Sequence, residues 1–145
     1  MKKNDILIVE DNYIIANDIK QMLISLGYNV IGMESTGKGA VKKAEELIPD
    51  LILMDIQLSD EMNGLQAAEK ILKNFDINIV YTTAYTKPNV LDIINATKPF
   101  GYLHKPFIQQ ELFSTIENLL YKNKTEKTSK DNLEENCKLS KDSMV

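Results

Sequence analysis

Arginine is missing from this chain altogether: each of its 17 basic residues is a lysine. Reading guanine in the major groove depends heavily on bidentate arginine, and no basic stripe stands in for it, so direct nucleic-acid binding is not expected. Cysteine occurs once, at Cys137 in a polar region near the end. That excludes a disulfide framework within the chain and favours a reducing, cytoplasmic setting. No apolar run approaches the length of a membrane span, and Met1-Lys2-Lys3-Asn4-Asp5 leads straight into a strand pattern. Neither a membrane segment nor a secretory signal is therefore expected.

What is present fits one ordinary domain plus a short extra piece: 145 residues, 43% hydrophobic and 26% charged, with a net charge of -4. The most informative stretch is Leu51-Ile52-Leu53-Met54-Asp55, a run of large apolar side chains that stops on a carboxylate. Preceded by Pro49-Asp50 and followed by a polar loop ending at Gly64, it reads as a strand buried on both faces of a parallel sheet. Ligands bind at the carboxyl ends of such strands, which makes Asp55 a candidate functional residue.

Ile6 to Val9 reads as a first buried strand and also ends on carboxylates, Glu10 and Asp11. Asn12 can cap a helix whose apolar positions Ile14, Ile15, Ile19, Met22, Leu23 and Leu26 recur at helical spacing, with Gly27 as a left-handed stop. Val30 to Met33 reads as a second strand, Ser35-Thr36-Gly37 as a turn, and Ala40, Val41, Ala44, Leu47 and Ile48 as a second amphipathic helix closed by Pro49. After the Asp55 strand, a helix runs from Leu65 to about Asn74. A fourth strand, Ile79 to Thr82, leads into Thr83-Ala84; a short fourth helix spans roughly 90–96; Tyr102-Leu103-His104 is a fifth strand. Leu112, Phe113, Ile116, Leu119 and Leu120 mark a fifth helix. Five strands alternating with five helices give an α/β fold, a doubly wound parallel sheet with helices on both faces. Residues 1–122 are read as one domain and 123–145 as a polar linker or disordered tail, because apolar residues become too sparse there to build a core.

In such a sheet Glu10, Asp11, Asp55, Thr83 and Lys105 converge on one rim. Three carboxylates in one small space repel and raise one another's pKa unless a cation joins them. An all-oxygen donor set suits Mg2+, which binds through one or two carboxylates, waters and phosphate oxygens. A lysine ammonium and a threonine hydroxyl can each hold a further phosphate oxygen.

This set resembles the receiver domain of two-component response regulators, over residues 4 to about 122. The resemblance implies a flavodoxin-like sheet of order 2-1-3-4-5 with its switch point between strands one and three. It implies Asp55 as phosphoacceptor, Asp11 and Glu10 as the acidic pair that holds Mg2+ with Asp55, and the backbone carbonyl of Gln57 as a further ligand. It also implies Thr83 as the switch hydroxyl, Lys105 as the phosphate-binding lysine before a cis Pro106, and Tyr102 as the rotating aromatic of the signalling face. The implied partner is a sensor histidine kinase or phosphotransfer protein. The implied output runs through the fourth helix, fifth strand and fifth helix to a downstream domain or protein, from a monomer or weak homodimer. The chain is then not an enzyme beyond its own phosphorylation and dephosphorylation.

Two departures from the family stand out. The loop Gln57 to Gly64 lacks the usual proline and is one residue longer, which leaves its geometry beside the metal open. Tyr85 is a bulky residue at a tuning position, expected to shield the phosphoryl group from water. Thr82 competes with Thr83, but Ala84 and strand register favour Thr83. Lys98-Pro99-Phe100 duplicates Lys105-Pro106-Phe107 but precedes the strand, so it reads as surface structure. His104 reads as a partly exposed strand residue and not a relay, and Asp60 and Glu61 as a solvated loop. A Mg2+-dependent aspartyl phosphohydrolase is the alternative. It wants a second carboxylate two residues after the nucleophile, where this chain has Gln57. A flavin-binding module would need a Ser/Thr/Gly-rich loop where Glu10, Asp11 and Asn12 stand.

Overall fold

The computed structural model describes residues 3–58, 60–84 and 101–131, with the backbone alone for 122–131. The apolar runs form β1 (Asp5–Val9), β2 (Asn29–Glu34), β3 (Leu51–Asp55), β4 (Asn78–Thr83) and β5 (Gly101–His104). All neighbours pair in parallel, in the order β2-β1-β3-β4-β5. The four described helices are α1 (Tyr13–Ser25), α2 (Gly37–Leu47), α3 (Gly64–Asn74) and α4 (Gln109–Asp131). The helix expected over 90–96 and the Lys98-Pro99-Phe100 stretch lie outside the described residues, so the helix expected as the fifth is α4.

Alternation along the central strands divides the core in two. Ile6, Ile8, Leu51, Leu53 and Val80 pack with Ala16, Ile19 and Leu23 of α1 and Leu112, Ile116 and Leu119 of α4. Leu7, Val9, Ile52, Met54, Ile79 and Tyr81 pack on the other face with Ala40, Ala44, Ala67, Ala68 and Ile71 of α2 and α3. Each such aliphatic side chain contributes roughly 2 kcal/mol by leaving water. The strand ends are thereby fixed, and the residues just past them are held on one rim.

Local chemistry sets the helix ends. Asn12 Oδ1 accepts from Ile14 N and Ile15 N at 3.0 and 3.2 Å, and Gly27 takes the left-handed conformation at φ 93°. Ile14, expected on the inner stripe of α1, is instead 74% exposed. The buried stripe is Ala16, Ile19 and Leu23, and Ile14 stands about 200° around the helix from Ala16. Leu47 and Ile48 likewise leave the stripe expected of them. The helix ends at Leu47, and Ile48 turns left-handed at φ 43° and is 58% exposed. A residue before proline is disfavoured in the helical region, so the chain turns out of α2 before Pro49 and into the Asp50 N to Asp5 O bond at 2.9 Å. Helix α4 continues past Lys122 to Asp131. Among the described residues, no helix is long and apolar enough to cross a membrane.

Candidate functional site

Glu10 follows β1 directly, and its amide donates to the Glu34 carbonyl at 2.9 Å, so the ladder holds its backbone at the sheet rim. Asp55 closes β3, and the Ile56 amide donates to the Thr82 carbonyl at 3.0 Å. Both carboxylates are buried, Glu10 at 4% exposure and Asp55 at 2%. Lys105, just past β5, reaches between them: its Nζ lies 2.8 Å from Glu10 Oε1 and 3.2 Å from Asp55 Oδ2. The second oxygen of each carboxylate accepts from a backbone amide. Asn12 N donates to Glu10 Oε2 at 3.0 Å, and Gln57 N donates to Asp55 Oδ1 at 3.1 Å. The Lys105–Pro106 peptide is cis.

Asp11 sits exposed at the mouth, and one carboxylate oxygen from each of Glu10, Asp11 and Asp55 lies within 4.8 Å of the others. Burial pushes the Glu10 carboxyl up to about 7, against the pull of Lys105 and the Asn12 amide and with Asp11 and Asp55 adding to the rise. Burial would lower the pKa of the Lys105 ammonium, but the hydrogen bond it donates to Glu10 and the charge on Asp55 outweigh it and hold it above its ordinary value. The Lys105 ammonium thus touches two of three clustered carboxylates, an all-oxygen donor set with no histidine or cysteine among them. That donor chemistry fits a hard divalent ion such as Mg2+.

The threonines separate by register. Asp55 pairs with Thr82, and Thr83 pairs with His104. Thr82 therefore shares the sheet face of Asp55, and Thr83 takes the opposite one with Tyr81. Register does not favour Thr83, contrary to expectation; what distinguishes Thr83 is Ala84 after it and its carbonyl, which accepts the Lys105 amide at 2.7 Å. Tyr102 is half-buried beside Tyr81 on the α2–α3 side of the sheet. His104 is exposed, and Tyr85 lies outside the described residues.

Asp60 is the residue that sequence reasoning missed. Instead of a solvated side chain, its Oδ1 accepts the Gly37 amide at 3.1 Å and its Oδ2 the Lys38 amide at 3.4 Å. No local pattern marks this, because the donors lie 22 and 23 residues earlier in the chain. The longer, proline-free loop was the available hint.

The family model of the response regulator receiver domain matches residues 6–117. This chain belongs to that family. The receiver domain is 38% identical over 118 residues to the phyllosphere-induced regulator PhyR of Methylorubrum extorquens, covering 81% of this chain and 43% of that protein. It is 34% identical over 115 residues to the transcriptional regulatory protein YdfI of Bacillus subtilis, covering 79% and 54%. Among solved structures it resembles the signal receiver domain of a modulated diguanylate cyclase from Desulfovibrio desulfuricans. The TM-score is 0.80 at 33% identity, over 86% of this chain and 99% of that one. The chain spans about half the length of the curated relatives it matches.

Proposed function

We propose that Asp55 accepts a phosphoryl group from the phosphohistidine of a sensor kinase or phosphotransfer protein. The observation that carries this reading is a buried carboxylate at the end of the central strand, bonded by Lys105 and beside the Glu10–Asp11 pair. An Asp55 carboxylate oxygen attacks phosphorus, the P–N bond breaks, and its electron pair returns to the imidazole. Glu10, Asp11, Asp55 and the Gln57 carbonyl would hold Mg2+, which supplies charge neutralisation on the transferring group. Lys105, already 3.2 Å from Asp55 Oδ2, moves its charge onto a phosphoryl oxygen as one forms there.

The Thr83 hydroxyl, at the end of β4, then turns around the rim toward the new phosphoryl group, and Tyr102, on the same side of the sheet as Thr83, follows at the face of the β5 edge. That face would hand the signal to an output domain or protein of the kind that occupies the rest of the longer relatives. We place the protein in the cytoplasm, as a monomer or weak homodimer, with no enzymatic activity beyond its own phosphorylation and dephosphorylation. Residues 123–145 serve as a polar linker or tail outside the core.

Incubation with Mg2+ and acetyl phosphate tests the reading by intact-mass spectrometry. The expected result is one added phosphoryl group, labile in base and absent from Asp55→Asn. Equal labelling of Asp55→Asn, or steady turnover of phosphomonoesters, would refute it, the second in favour of a phosphohydrolase.

A further inference from the structure

We infer that Asp60 is a positioning residue for the cation site: it anchors the β3–α3 loop to the first turn of α2 and so holds the Gln57 peptide beside Asp55. The inference rests on the phosphoacceptor reading above.

Its carboxylate takes the amides of Gly37 and Lys38 at 3.1 and 3.4 Å. Amides of a first helical turn have no partner within their own helix, and they form the positive end of its dipole. The local cap of α2 is already in place, since Thr36 Oγ1 accepts the Gly39 amide at 2.9 Å. Asp60 satisfies the two amides that this local cap leaves. The loop backbone also lies directly on the helix start. A Cβ at Gly37 would meet the Met62 carbonyl oxygen at 2.5 Å and Met62 Cβ at 2.9 Å, so glycine there permits the approach.

The loop is therefore tied at three points. Gln57 N is bonded to Asp55 Oδ1 at 3.1 Å, Asp60 to α2, and Gly64 N to the Ile56 carbonyl at 2.9 Å. The first and last ties lie within the loop's own stem. Asp60 links its middle to a different element. That element matters because the corner between β2 and α2 also supports the other half of the site, through the Glu34 carbonyl and the Glu10 amide at 2.9 Å. Both halves thus rest on one base. Residues that orient a ligand from behind commonly change metal affinity when removed, while the chemistry of the bound state stays intact.

Mg2+ titration followed by the backbone amide shifts of Glu10 and Gln57, run beside acetyl phosphate labelling across Mg2+ concentrations, tests this. Asp60→Ala is expected to raise the Mg2+ Kd about tenfold. Its labelling rate at saturating Mg2+ should change less than about twofold. Asp60→Asn, which keeps one acceptor oxygen, should fall between Asp60→Ala and wild type. Thr36→Ala removes the local cap without freeing the loop, so it should lower the Tm and leave the Mg2+ Kd unchanged. An unaltered Kd in Asp60→Ala, or an equal rise in Thr36→Ala, overturns the inference. If Asp60→Ala does not fold, an unaltered Kd in Asp60→Asn does so. Wild-type protein with no Mg2+ response at all would instead remove the phosphoacceptor reading, and this inference with it.

Discussion

Lys105 is the one cation touching two buried carboxylates among the described residues, at 2.8 Å from Glu10 and 3.2 Å from Asp55. Removing one partner of a buried pair costs far more than a surface ion pair is worth, on the order of 3 kcal/mol. Lys105→Met keeps the aliphatic stem and deletes the charge, so in EDTA its urea-derived stability should fall by about 3 kcal/mol. Glu10 and Asp55 then lose the ammonium bonded to both, and Mg2+ should restore more stability to the variant than it adds to wild type. Equal Mg2+ gains would show that the ammonium is not their counter-ion. A second residue tests burial without touching the rim. Desolvation raises Tyr81 from 10.0 to about 12. Its unfolded form ionises first as pH rises, so this contribution to stability is complete below pH 10 and lost as pH climbs through about 12. By pH 11, wild type should have lost about 1 kcal/mol more than Tyr81→Phe in urea unfolding. Parallel losses would place the pH response elsewhere.

Elements whose signal is local were legible in the sequence. Runs such as Leu51–Asp55 can be read because a doubly buried strand is apolar at every position until it meets the rim. Asn12 and Gly27 announced the ends of α1 because capping is decided within a few residues. Glu10, Asp11, Asp55 and Lys105 could be grouped because topology alone brings strand ends β1, β3 and β5 to one side of the sheet. Features decided by another part of the chain were not legible. Ile48 carries an apolar side chain at a helical spacing; Pro49 beside it announces the end of the helix but not that the turn toward β3 leaves Ile48 exposed. Register needed the paired strands: which of Thr82 and Thr83 lies across from Asp55 depends on β3 against β4, not on the Thr-Thr-Ala string. Asp60 is the extreme case. A charged residue in a polar loop looks solvated unless α2 is known to begin beneath it. Gly37 belongs to the same contact, beneath Met62, while Gly64 lies in the loop stem, where a Cβ would overlap the Asp55 carbonyl. Their value lies in what approaches them.

At the scale of the molecule, the open issue is where the receiver core stops. Helix α4 is continuous to Asp131, and among its described side chains, those up to Tyr121, the buried ones are Leu112, Ile116 and Leu119. The same stripe continued by spacing falls on Asn123, Glu126 and Lys127, none of which can extend an apolar core. Backbone helicity and core membership therefore part company near residue 122. A helix with no apolar stripe draws little stability from packing. A long-range side-chain bond to α4, from the Tyr28 hydroxyl to Glu117 Oε1 at 3.0 Å, also lies before that point. A chain ending at Lys122 should consequently melt within about 2 °C of the full chain by circular dichroism, a difference well under 1 kcal/mol. It should also take up phosphoryl from acetyl phosphate at the same rate. A drop of about 5 °C or more would mean that 123–145 contributes on the order of 1 kcal/mol to the folded core. The boundary would then have to move beyond the point where the apolar stripe ends.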